Sequence, residues 1–208
     1  MQKIGQLHSC GYSPEKLKNL MEHLKKKKFE VEHVDISHED NEAGVLVIRR
    51  GIQKLLSINN TEEITKEHQI LPMDTKAFMK GRVVNKIARH NLCFDSEDQE
   101  PNYEEGRGRI VSFAQVPLTT TIRDAISVWL EESEPLKAEG NYYYDIEKLG
   151  IGYHGDSEKR KVVAFRLGET MPICFQWFHK LDPVGEKIEI NLQDGDMYVM
   201  SDKTVGFD

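Results

Sequence analysis

From Gly140 onward the chain reads as short β-rich runs, "NYYYDI", "KVVAFRLG", "MPICFQWF", "EKIEINL" and "MYVMS", each separated from the next by Gly, Pro or Asp. Short runs at such spacing read as antiparallel strands. In one of them Ile188, Ile190 and Leu192 alternate with Glu189 and Asn191, giving a dry face and a wet one. "QDGD", Gln193 to Asp196, carries the Asp-Gly signal of a tight hairpin into "MYVM". Five or more such strands predict a β-sandwich or jelly roll with the earlier helices packed on one sheet.

The first seventy residues read differently. Ser13-Pro14-Glu15 supplies a cap, a first-turn proline and an acid at the positive end of a helix dipole. Leu17, Leu20, Met21 and Leu24 follow at helical spacing, and Lys25 to Lys28 place cations at the helix C-terminus. "FEVEHVDI" and "GVLVIRR" are strand-like, and "GIQKLLSI" fits one more helix. Residues 1–70 therefore form an expected N-terminal α/β extension, and 71–208 the β-rich domain. Between them and the strand-rich half lie a polar segment from Asp95 to Gly108, read as a long loop, and "VPLTTTIRDAISVWLEE". The latter is read as a helix capped at Thr121, with Ile122, Ala125, Ile126 and Trp129 on one face.

A chain of 208 residues with 38% hydrophobic and 30% charged residues is long enough for one sizeable core. It contains no apolar run near the roughly 20 residues of a membrane helix and no secretory or lipidation signal. The expected setting is the cytosol, or the nucleus by diffusion, with no membrane partner. Cys10, Cys93 and Cys174 are odd in number and far apart, which supports neither a disulfide framework nor a thiolate metal site. A formal charge of -7 argues against a general nucleic-acid coating protein, although "FMKGRVVNKIARHN", Phe78 to Asn91, is a local basic run. His8, His23, His33, His38 and His68 are scattered and read as surface or partly buried side chains.

His154-Gly155-Asp156 is the one spacing with metal chemistry in it. Residues two apart at a strand or strand end point to the same side, so an imidazole and a carboxylate can meet at one point. Two histidines and one carboxylate form the facial triad of ferrous oxygenases. A strand-end histidine bonded to its neighbouring acid is the structural alternative.

"NYYYDIEKLGIGYHGDSEKRKVVAFRLG" resembles the core of the AlkB-like 2-oxoglutarate/Fe(II) dioxygenases, where an Asn-x-Tyr strand leads into His-x-Asp. "LQDGDMYVMSDKTVGFD" is similar to that family's later Gly-Asp hairpin, and "GRVVNKIARHNLCFDS" with "PNYEEGRGRI" to its substrate-side segment. The likeness runs from about Ala77 to Asp208. It implies an α+β protein with a double-stranded β-helix (jelly roll) core and flanking helices. It makes His154 and Asp156 two Fe(II) ligands, Asn141 and Tyr143 contacts of 2-oxoglutarate, and Arg89, His90 and Arg82 substrate-side residues. The implied reaction consumes 2-oxoglutarate and dioxygen, releases succinate and carbon dioxide, and hydroxylates a C–H bond of the substrate. On an N-methyl group of an alkylated nucleic-acid base the hydroxylated carbon leaves as formaldehyde.

The family also places a second histidine and a 2-oxoglutarate-binding arginine after the Gly-Asp hairpin. After His154 this sequence has His179 alone, which precedes the last two strands and reads as a strand-end or loop residue. The expectation is a domain cut before its last catalytic strand, or one that lacks it. Two alternatives stay open: a protein or small-molecule hydroxylase of the same superfamily, and a catalytically silent β-sandwich binding module. A single nucleotide or flipped base would reconcile an acidic protein with a nucleic-acid substrate.

Overall fold

The computed structural model describes residues 11–132, 135–148, 151–156, 159 and 161–206. Cys10 and His8 lie outside them. Along the chain run α1 (Pro14–Lys26), β1 (Glu30–Asp35), β2 (Gly44–Arg49), α2 (Gly51–Leu56), α3 (Glu62–Gln69), β3 (Lys76–Met79), β4 (Arg82–Asn85), β5 (Arg89–Asp95), β6 (Ile110–Ser112) and α4 (Pro117–Trp129). Then come β7 (Ala138–Tyr143), β8 (Val163–Phe165), β9 (Met171–His179), β10 (Asp182–Leu192), β11 (Met197–Met200) and α5 (Asp202–Val205). The fold is mixed α+β with mostly antiparallel sheets, and among the described residues none closes into a barrel. No helix among them is long and apolar enough to cross a membrane.

These elements form two compact units, one of residues 66–152 and one of residues 11–65 with 153–206. In the second, a four-stranded sheet runs in the order β1-β2-β11-β8. The apolar run "GVLVI" is its centre because β2 is buried on both faces. Val45 and Val47 pack with Ile36 and with Phe175, Ile190 and Leu192 of the β9–β10 ribbon, while α1 turns Leu17, Leu20 and Leu24 inward and contacts β1 and β2. Alternation along the strand then sends Leu46 and Ile48 to the face opposite the ribbon. Ser13 caps α1 through its Oγ, which accepts the Lys16 N–H at 3.1 Å. The helix is thus set by the residues that announce it.

The turn at "QDGD" does not close the expected hairpin. β10 pairs with β9, whereas β11 pairs with β2 and β8. The turn's own side chains make it a corner between sheets. Buried Asp196 accepts N–H bonds from Arg49 (Nη1, 2.7 Å), the Arg50 backbone (2.9 Å) and the Gln193 backbone (3.0 Å). Asp194 accepts from the Thr61 hydroxyl at 2.7 Å and from the Gly168 N–H at 2.8 Å. Gly195, at φ +81°, lies so close to Gln53 that a side chain there would collide with its amide.

In the unit of residues 66–152, β6-β5-β7 form a three-stranded sheet, with β5–β6 parallel, and β3–β4 a separate hairpin. Leu71, Leu92, Phe94, Val111, Phe113 and Val116 make its core. α4 begins four residues before the expected Thr121 cap. Pro117 takes the first position, and the Glu67 carboxylate accepts the Leu118 and Thr119 N–H groups at 2.8 and 3.0 Å, a cap supplied from α3. Thr121 instead bonds back to the Pro117 carbonyl at 2.9 Å. The polar segment from Asp95 to Gly108 is a structured loop, with a 3-10 turn at Tyr103–Glu105.

Candidate functional site

His154, Gly155 and Asp156 have no strand or helix assignment, and β8 begins only at Val163. The expected placement of His154 at a strand end is therefore not found. The segment is nonetheless held. The Asp156 N–H donates to the Val205 carbonyl at 3.0 Å, and Gly155 sits against Gly206 so closely that any Cβ would strike the Gly206 carbonyl. Asp156 is half-buried and His154 exposed. His179 is the last residue of β9, also exposed. Among the described residues no group of three or more His, Cys, Asp or Glu side chains is disposed to hold a metal ion.

The remaining expected residues fall in the unit of residues 66–152, and four of them share one ladder. β5 and β7 pair with Arg89 opposite Tyr143, His90 opposite Tyr142 and Asn91 opposite Asn141. Directly opposed residues point to the same side. Arg89, Asn91, Cys93, Glu139, Asn141 and Tyr143 therefore share one face, which is largely polar. The other face carries His90 and Tyr142 and runs into the core at Leu92 and Phe94. His90 packs with its ring tilted 47° to that of Tyr144, centroids 4.7 Å apart, and the Tyr144 hydroxyl accepts the Ala88 N–H at 2.9 Å. The structure thus separates Arg89 from His90 by the thickness of the sheet. Arg82 lies on the β3–β4 hairpin opposite Met79, exposed and on a different ladder.

Several polar residues that no sequence motif marked complete the Asn141 face. Asp74 is 2% exposed and bridges to Asn91 through its backbone. Its carboxylate accepts the Tyr103 hydroxyl and the Arg109 N–H, each at 2.7 Å. Burial first, and then this bond to Asp74, push the Tyr103 phenol up to about 12. Lys86 donates from Nζ to the Asp74 carbonyl at 3.3 Å and to Asn91 Oδ1, and burial pulls its ammonium below the usual lysine range. Asn91 Nδ2 in turn donates to Glu139 at 3.3 Å. The sequence signal for this group was the basic run itself, which gives no hint that one of its lysines turns inward.

Among the described residues Cys93 and Cys174 form no disulfide, and Cys93 is buried. His68 is bonded to the Thr119 hydroxyl at 2.7 Å, and burial lowers its pKa.

No family model matches the chain. It is 40% identical over 216 residues to "Uncharacterized protein R156" of Acanthamoeba polyphaga mimivirus, an alignment that takes in all of this chain and 84% of that protein.

Proposed function

The chain belongs to the family of that mimivirus protein, and from its own residues we propose that it is a 2-oxoglutarate- and Fe(II)-dependent oxygenase of the AlkB-like kind, on a jelly-roll core, acting in the cytoplasm. The carrying observation is the order of blocks along the sequence: an Asn-x-Tyr strand, then His154-Gly155-Asp156, then a Gly-Asp turn into β11. Two structural details support it. The Gly155–Gly206 approach and the Asp156 N–H bond hold the backbone that joins the imidazole to the carboxylate. Asn141 and Tyr143 share one face with a cationic pair, Lys86 and Arg89.

The donor set for iron is partial. His154 and Asp156 would supply two ligands, and a third is not found among the described residues. Iron with 2-oxoglutarate and dioxygen would supply the oxidising power for C–H hydroxylation. The chain's own residues would bind the metal through His154 Nε2 or Nδ1 and an Asp156 oxygen, and orient the 2-oxo acid through Asn141 and Tyr143. Arg89 would meet the substrate on the Asn141 face, and His90 and Arg82, on the opposite face of that sheet and on the β3–β4 hairpin, would meet other parts of it. An N-methylated nucleic-acid base is the first candidate, supported by the basic run from Phe78 to Asn91. Hydroxylation of a protein side chain or small molecule is the second reading, favoured by the net charge of -7.

Manganese(II) titration followed by electron paramagnetic resonance tests the ligand assignment without turnover. Changing a residue that only hydrogen-bonds to a metal ligand costs about 10–100-fold in metal affinity, so losing a ligand itself through His154→Ala or Asp156→Ala should cost about 100-fold or more. His179→Ala should change nothing; loss of binding with that variant would overturn the assignment. Formaldehyde release from methylated oligonucleotides, compared with hydroxylation of peptides, separates the two substrate readings.

A further inference from the structure

Lys86 is anomalous among the cations of its unit. Arg107, Arg109, Arg123, Lys137 and Lys148 each have a carboxylate partner: Glu105, Glu100, Asp124, Asp95 and Asp145 respectively. Lys76, Lys80 and Arg82 are exposed and solvated. Lys86 and Arg89 are half-buried, and among the described residues neither has a carboxylate within 4.0 Å. The Lys86 ammonium is held only by neutral acceptors, the Asp74 carbonyl and the Asn91 side-chain oxygen. Asp74 spends both carboxylate oxygens on Tyr103 and Arg109. Asp74, Cys93 and Glu139 offset the burial of Lys86 only from a distance, and a cation taken out of water without a directly bonded counter-ion is costly.

The bond to Asn91 also fixes which way Lys86 faces. Asn91 stands opposite Asn141 in the β5–β7 ladder, and Arg89 stands opposite Tyr143. Lys86 therefore reaches the face where Asn141 and Tyr143 lie, and with Arg89 gives it two positive charges beside neutral hydrogen-bond donors. Two acids border the same face, Glu139 through its bond from Asn91 and buried Asp74. Neither carboxylate lies within 4.0 Å of the ammonium, and the bonds to the Asp74 carbonyl and Asn91 take two of its three donors, so the third is left for an incoming carboxylate oxygen. We infer that Lys86, on the Asn91–Asn141 face of the β5–β7 ladder, is a binding residue for a carboxylate group of a small organic acid. The identity of that acid as 2-oxoglutarate rests on the oxygenase reading; the unpaired ammonium does not.

Calorimetric titration of the full chain with 2-oxoglutarate, succinate and inorganic phosphate tests this, with acetic anhydride labelling read by mass spectrometry as a second measurement. Saturable binding of 2-oxoglutarate or succinate is expected. Lys86→Met should weaken it about tenfold or more, the usual size for a lost charge-assisted hydrogen bond, and Lys86→Arg should restore most of it. In the unaltered protein the acid should protect Lys86 from acetylation while leaving Lys80 reactive. Carboxylate binding that is the same in Lys86→Met, with Lys86 unprotected, overturns the role of Lys86 and leaves the oxygenase reading standing. Binding of succinate but not 2-oxoglutarate supports the site and overturns that reading. Phosphate binding as tightly as either acid, or no carboxylate binding at all, overturns the inference.

Discussion

Tyr103 and Asp74 illustrate how single residues in this chain trade exposure for a bond. The phenol reaches a carboxylate that is almost fully buried, and Tyr103 holds its proton more tightly by donating to it. A phenol whose folded pKa is raised binds its proton more tightly when folded than when unfolded. Its contribution is therefore complete below about 10, the unfolded value, and is lost as pH rises toward about 12. Urea titrations between pH 9 and pH 12 should show stability falling across that window. Tyr103→Phe should be less stable by about 1–2 kcal/mol at pH 8, because Asp74 loses a donor, and should show a shallower alkaline loss. An unchanged alkaline slope in the variant would mean that Tyr103 does not carry it. None of this was legible in "PNYEEGRG", where Tyr103 is one aromatic in an acidic loop. The partner is 29 residues away in sequence, and only the fold brings the two together.

Elements whose ends are set by neighbouring residues could be read from the sequence, and elements set from a distance could not. α1 starts at its own Ser13-Pro14 signal. α4 is capped by Glu67, fifty residues upstream, so the local reading at Thr121 started the helix a turn late. Likewise the Asp-Gly turn before β11 has hairpin chemistry, but Asp196 ties it to Arg49 and Arg50 in β2 and the residue after it, and the chain crosses into another sheet. The β9–β10 hairpin is the reverse case, closed without any turn signal. Lys180 and Leu181 both take positive φ, +50° and +76°, as a two-residue type I′ loop requires. A side chain in that region costs about 1–2 kcal/mol, and Leu181, 92% exposed, recovers little by packing. Leu181→Gly should therefore stabilise the protein by about 0.5–1 kcal/mol after the greater flexibility of glycine in the unfolded chain is allowed for. A lower urea midpoint in that variant would show that Leu181 makes a compensating contact.

For the whole molecule, the sequence foretold a mixed α+β protein with an antiparallel β-rich C-terminal half, because hydrophobic alternation is a local property. It did not foretell that β2, from the first seventy residues, would be the buried centre of the sheet that takes β11 and β8. An apolar run such as "GVLVI" announces burial without saying which strands will cover it. The chemical residues divide in the same way. The spacing of His154 and Asp156 and of Asn141 and Tyr143 is written in the chain, whereas the placement of the Lys86 ammonium, with no carboxylate within 4.0 Å among the described residues, emerges only from the pairing of β5 with β7. Anaerobic titration of the protein with ferrous iron and 2-oxoglutarate tests the central claim most directly, through the weak visible charge-transfer band of a metal-chelated 2-oxo acid. The oxygenase reading predicts a saturable band that disappears in His154→Ala and in Asp156→Ala; a folded protein that gives no band, or one that both variants retain, would contradict it.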